Sequence, residues 1–239
     1  VVQLALALLM PLAPLGFAYH MLVVKQSSSV LVKAANIIGI GLIGGSLALV
    51  GQIYNLETGY TTMLWLWTLL SLPFVFVFKQ VENVAVTAFL LGVALFVTVV
   101  EAFDWSDESS FIITVTVLAL IYAAGMFGGG SALRNSSVWH EGARALRLLS
   151  ASVASVTLFL MTFEFYARAV IDAPRGDITW VPLSIVLNLL FIGFMVFVLA
   201  RAYRLQEERL AVSVIRLLFL YLVIKYFTLF STILGTGLL

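Results

Sequence analysis

From Ala34 to Gly51 the chain is apolar or small at every position except Asn36 and Ser46, and it then turns abruptly polar at Gln52, Tyr54, Asn55 and Glu57. About 18–20 such residues in a helix cover the roughly 30 Å of a bilayer core. The stretch predicts a membrane helix with a polar mouth at its far end. A soluble domain carries about 25% charged residues, whereas this chain of 239 carries 10%, with 62% hydrophobic residues and a mean hydropathy of +1.12. An integral membrane protein is therefore expected, with the lipid bilayer as its first partner.

Gly39, Gly41 and Gly44 spell the G-x-G-x-x-G of dinucleotide-binding folds. That motif needs a strand before it and further βαβ units after it, and long apolar runs occupy both flanks here. No cofactor is expected. Packing explains the glycines better. Gly41 with Gly45, and Gly44 with Ala48, have small-x-x-x-small spacing, which lets helix backbones approach closely where lipid offers no hydrophobic drive.

Eight apolar segments, about 2–20, 34–52, 60–78, 83–100, 111–129, 147–170, 178–200 and 212–234, predict an all-α bundle of about eight transmembrane helices in a single domain over 1–239. Pro11, Pro14 and Pro73 predict kinks, and Trp65 and Trp67 an aromatic belt. Gly128-Gly129-Gly130-Ser131 reads as a flexible turn closing the fifth span. Residues 201–210 read as a solvated extension of the seventh helix, with Arg204 and Glu208 paired at i,i+4. The first residues are Val1-Val2 and the last apolar, so both ends are expected to be truncated; no basic region marks a secretory signal.

The connections between spans set the orientation. Lys25, Lys33, Lys79, Arg134, Arg144, Arg147, Arg201, Arg204, Arg209 and Arg216 all fall on one side of the eight-span thread, which the positive-inside rule assigns to the cytoplasm. Arg168 and Arg175 fall on the other side, with Glu57, Glu101, Asp104, Asp107, Glu108, Asp172, Asp177 and the N-terminus. A net charge of +1 gives no case for nucleic acid, and the absence of cysteine excludes thiol chemistry and disulfides. His140-Glu141 opens like H-E-x-x-H, but Arg144 stands where the second histidine is needed. No metal site and no catalytic residue is assigned. Asn135-Ser136-Ser137 fits a glycosylation pattern but falls on the cytoplasmic side.

Ionisable residues inside spans are costly and are functional candidates by default. Glu164 and Arg168 share a helix face in the sixth span, and Lys225 lies about 13 residues into the eighth, ~20 Å deep. Asn188 is a polar neighbour in the seventh. With Gln52, Tyr54, Glu57, Glu101 and Asp104 at the same side of the membrane, these residues suggest an outward-facing polar cavity lined by spans two, four, six and eight. The competing reading is a buried structural ion pair, with Arg168 or Lys225 reaching to the interface.

Leu47–Leu56 reads LALVGQIYNL. The segment resembles the bacterial membrane-protein family called domain of unknown function 2157, in which a glycine-rich helix leads into Gly-Gln-Ile-Tyr, here Gly51, Gln52, Ile53 and Tyr54. An aromatic helix follows in that family, as Met63–Pro73 does here, and Lys225-Tyr226-Phe227 is similar to its C-terminal pattern of a basic residue followed by Tyr-Phe. The segment 101–108 has no counterpart. The resemblance implies a polytopic protein of the bacterial inner membrane and no reaction.

Three functions follow as expectations. The first is a non-enzymatic membrane subunit or scaffold that binds lipid or another membrane subunit through the polar mouth and the glycine face. The second is a transporter of a small solute or ion working through Glu164, Arg168 and Lys225. The third is an enzyme on a lipid-linked substrate with Glu101 or Asp104 as acid or base. Broken helices within the membrane and internal repeats would mark the transporter; no repeat is evident in the sequence.

Overall fold

A computed structural model describes residues 9–54, 59–103, 108–174, 178–204, 206 and 208–235. Among these there are nine α-helices and no strand: α1 Leu12–Tyr19, α2 Val30–Ile53, α3 Tyr60–Phe78, α4 Val81–Ala102, α5 Glu108–Ala132, α6 His140–Met161, α7 Glu164–Val170, α8 Val181–Arg204 and α9 Glu208–Gly235. Seven, all but α1 and α7, are long and apolar enough to cross a membrane. The protein is an all-α, polytopic membrane protein, and its glycine motif lies inside α2 with no sheet around it.

The chain divides into two compact units, Val1–Ser106 with Ala124–Ser150, and Asp107–Ala123 with Ala151–Leu239. The first is built on the α3–α4 hairpin. Lys79 adopts a left-handed backbone (φ 51°) and returns its N–H to the Val75 carbonyl, ending α3; Gln80 alone separates it from α4. So short a connection forces the helices antiparallel. α2 begins at Ser29, whose hydroxyl accepts the Val32 N–H at 3.3 Å as an N-cap. It is fixed to the hairpin by two buried amides, Asn36 donating to the Asn83 side chain and Asn83 to the Phe74 carbonyl at 3.0 Å, and by a more exposed pair of Lys33 with Glu82 at 3.0 Å. Leu15, Ala18, Ile40, Ile43, Phe78 and Leu90 form the apolar core of this unit.

Several local expectations change. Helix is interrupted by a turn at Met10 and Pro11, so Pro11 and Pro14 sit at the cap and in the first turn of α1, where a missing N–H breaks no helical bond; a further irregularity, a π-helical turn, follows over His20–Val24. Trp65 and Trp67 are not free belt residues: their indole N–H groups donate to the Thr98 hydroxyl at 2.9 Å and to the Ile40 carbonyl at 2.8 Å. Gly128–Ser131 is helical, inside α5. A side chain at Gly130 would meet the Ala143 carbonyl at 2.8 Å, and Arg147 uses this approach to donate to the Gly130 carbonyl at 3.1 Å. Arg147 thus caps a helix end instead of sitting free in a loop. The predicted continuous helix through residues 201–210 is two helices, α8 and α9, with Gln206 at φ 54° between them.

In the second unit, Leu158, Phe191, Met195, Val198, Val214 and Tyr221 form one apolar cluster, and Tyr166, Ala167 and Leu187 form another. The predicted sixth span, 147–170, is interrupted here. α6 stops at Met161 and α7 starts at Glu164.

Candidate functional site

The interruption begins with a local competition for carbonyls. The Thr162 N–H and hydroxyl both go to the Phe159 carbonyl, at 3.0 and 2.7 Å, and the Phe163 N–H goes to that of Leu160 at 3.3 Å. The last turn of α6 thereby tightens from i+4 to i+3 bonding. Phe163 swings to an extended backbone (ψ 149°) and its carbonyl accepts the first bonds of α7. This leaves the carbonyl of Thr162, a fully buried residue, in need of a donor from another helix.

Two side chains supply one. Lys225 of α9 donates its ammonium to the Thr162 carbonyl. Asn188 of α8 donates to the same oxygen at 3.3 Å and to the Ser184 carbonyl at 2.6 Å, while its own side-chain oxygen accepts the Tyr221 hydroxyl at 2.8 Å. The Lys225 nitrogen also lies 5.3 Å from the Phe163 ring centre and 5.9 Å from that of Tyr221, within cation–π range. Asn188 is seven residues from the start of α8, about 10 Å along its axis, so the site lies inside a helix longer than the ~30 Å hydrocarbon core.

Glu164 and Arg168 meet on α7, Arg168 Nη2 to Glu164 Oε1 at 2.6 Å, and the Arg168 guanidinium lies 5.2 Å over the Trp180 ring. The buried Nε of Arg168 and Nε1 of Trp180 have no hydrogen-bond partner. Of the residues proposed for one outward cavity, the second unit therefore joins Asn188 to Lys225 and Glu164 to Arg168. Of the others, Glu101, Gln52 and Tyr54 belong to the first unit. Glu101 accepts the Thr61 hydroxyl, tying α4 to α3, and Gln52 and Tyr54 are exposed at the end of α2. Glu57 and Asp104 lie outside the described residues.

The glycine face of α2 is likewise resolved by position. A side chain at Gly44 would meet the Trp67 ring at 2.6 Å, and one at Gly39 would meet Leu15 at 2.5 Å, whereas Gly41 and Gly45 have nothing within 4 Å; Ala48 is half-buried. The close contacts within the first unit thus use Gly39 and Gly44, five apart. Beside them is an apolar hollow of about 340 Å³ lined by Leu15, Ile43, Leu47, Pro73 and Phe74 among others. No group of three His, Cys, Asp or Glu suited to a metal ion occurs among the described residues.

Sequence reasoning missed Thr162, Phe163, Tyr221 and Ser184. Spacing carried part of the signal: Tyr221 is four before Lys225 and Ser184 four before Asn188, one helical turn on the same face.

Residues 1–81 match the family described as Predicted membrane protein (DUF2157). The match covers α1, α2 and α3, including the Gly-Gln-Ile-Tyr segment on which the resemblance was read. The family is one of predicted membrane proteins of unknown function, in keeping with the seven helices among the described residues that are long and apolar enough to cross a membrane. No curated protein and no solved structure matches the chain.

Proposed function

We propose that this protein moves a small solute or ion across the membrane, with the α6–α7 break of the second unit as its binding site. The observation that carries the reading is the Thr162 carbonyl, released by the break and held by the ammonium of Lys225. Discontinuous helices, whose freed backbone groups bind ions and solutes, are how secondary transporters build their sites. Non-helical backbone at such depth persists only where protein or a water-filled cavity surrounds it. In this reading the chain is a non-enzyme of the bacterial inner membrane, with its arginine-rich connections in the cytoplasm and the site nearer the outer face.

The test is reconstitution into liposomes and measurement of solute-dependent proton or charge movement. Movement through the wild type that Lys225→Met abolishes, with both proteins folded, supports transport. A folded wild type that carries none of a broad panel of ions, amines and acids overturns it.

A second reading, a membrane subunit that packs against another membrane protein, is favoured by a separate observation. Gly41 and Gly45 form a small-x-x-x-small pair with open space where a partner helix would press. Co-purification of a stoichiometric membrane partner, lost in Gly41→Leu, would favour it.

A further inference from the structure

The groups facing Lys225 show which sign of charge the site selects. The ammonium meets a main-chain carbonyl and two ring faces, all electron-rich and none formally charged. Asn188 cannot recruit an anion there, because its N–H groups point to the Thr162 and Ser184 carbonyls. Glu164, the residue after Phe163, is paired with Arg168. α8 brings no ionisable side chain between Val181 and Leu199, and the ionisable group on α9 that faces the lysine is the phenol of Tyr221, whose hydroxyl donates to Asn188.

A neutral cage of this kind holds one positive charge. It does not suit a divalent ion, which takes six or more oxygen ligands, commonly carboxylates. Ring faces favour weakly hydrated organic cations over small inorganic ones.

We infer that the place taken by the Lys225 ammonium, against the Thr162 carbonyl and the Phe163 and Tyr221 rings, is a binding site for a small organic ammonium ion, and that the lysine is its tethered resident. The inference rests on the transport reading and names its substrate class: a free alkylammonium takes the Thr162 carbonyl and the Phe163 and Tyr221 faces when the lysine side chain withdraws. No bond is made or broken; one ammonium replaces another.

Emptying the cage tests this. Lys225→Ala in detergent or nanodiscs should melt about 2–4 °C below the wild type, a shift of the size expected for one lost contact in a chain this long. Millimolar methylammonium chloride should recover that loss, while sodium chloride or sodium acetate at equal ionic strength should not. A folded Lys225→Ala that methylammonium does not stabilise beyond sodium overturns the inference. If Lys225→Ala does not fold, radiolabelled methylammonium uptake into wild-type proteoliposomes decides: uptake that Phe163→Leu, which removes one ring face, lowers several-fold supports the site, and no uptake, or equal uptake by a folded Phe163→Leu, overturns it. Uptake of some other solute with no methylammonium effect would sink this inference and leave the transport reading standing. Methylammonium rescue without flux of any solute would leave the site and remove transport.

Discussion

Lys225 donates its ammonium to the main-chain carbonyl of Thr162, 63 positions earlier in the chain. Asn188 shares that oxygen from a third helix. The break in α6 and the lysine in α9 are thus two halves of one arrangement, since each would be unfavourable in lipid without the other.

Lys225→Met keeps the length and apolar stem of the side chain and removes the donor. The Thr162 carbonyl keeps its longer bond to Asn188, so the expected loss is about 1 kcal/mol, near the low end for leaving a buried acceptor under-satisfied. Asn188→Leu should cost more, roughly 1–3 kcal/mol, because it takes the acceptor from the Tyr221 hydroxyl and one of the two donors from the Thr162 carbonyl. Thermal unfolding in mild detergent measures both, and Lys225→Met more damaging than Asn188→Leu would contradict this ranking.

Glu164→Gln should change stability by less than about 1 kcal/mol. Its carboxylate pairs with Arg168 at 2.6 Å, but the side chains are 51% and 25% exposed, and such pairs are screened. A loss as large as that of Asn188→Leu would show that the pair is more enclosed than its exposure indicates.

The glycines of α2 should separate into two classes. Gly44→Ala drives a Cβ to 2.6 Å from the rigid Trp67 ring and should cost about 1–3 kcal/mol, the usual range for overpacking. Gly41→Ala meets nothing within 4 Å and should gain up to ~1 kcal/mol of helix propensity. Melting temperatures of the two variants give the comparison. A loss in Gly41→Ala in the membrane but not in detergent would reveal a helix packed there.

Lys79→Gly should stabilise the α3–α4 hairpin by up to ~1 kcal/mol, because a left-handed backbone costs a side-chain-bearing residue about that much and glycine does not suffer it. Denaturation in mixed detergent would record the gain.

How much of this was readable beforehand depends on which signal each feature leaves. The bounds of α3, 60–78, are those of the apolar run, because Gly59 and Lys79 flank it closely. The break at Thr162 left no such mark: no proline or glycine lies there, and the helix ends because a threonine hydroxyl competes for the Phe159 carbonyl. The same is true of the turn at Gln206, where a left-handed residue interrupts a run of good helix formers. Lys225 and Asn188 stood out because charge and amide are rare in apolar spans, yet what they bind is a carbonyl, and carbonyls are invisible to residue type. Gly41, Gly44 and Gly45 all fit the spacing rule, yet within the unit only Gly44 of these makes a close contact and Gly39, outside the rule, makes another, since the large partners Leu15 and Trp67, and not a periodicity, determine where a missing side chain is needed.

The short link at Lys79 and Gln80 bears on how the protein is made. Two spans joined by so short a link are expected to enter the bilayer as one antiparallel hairpin, against which α2 then settles through the Asn36–Asn83 bond.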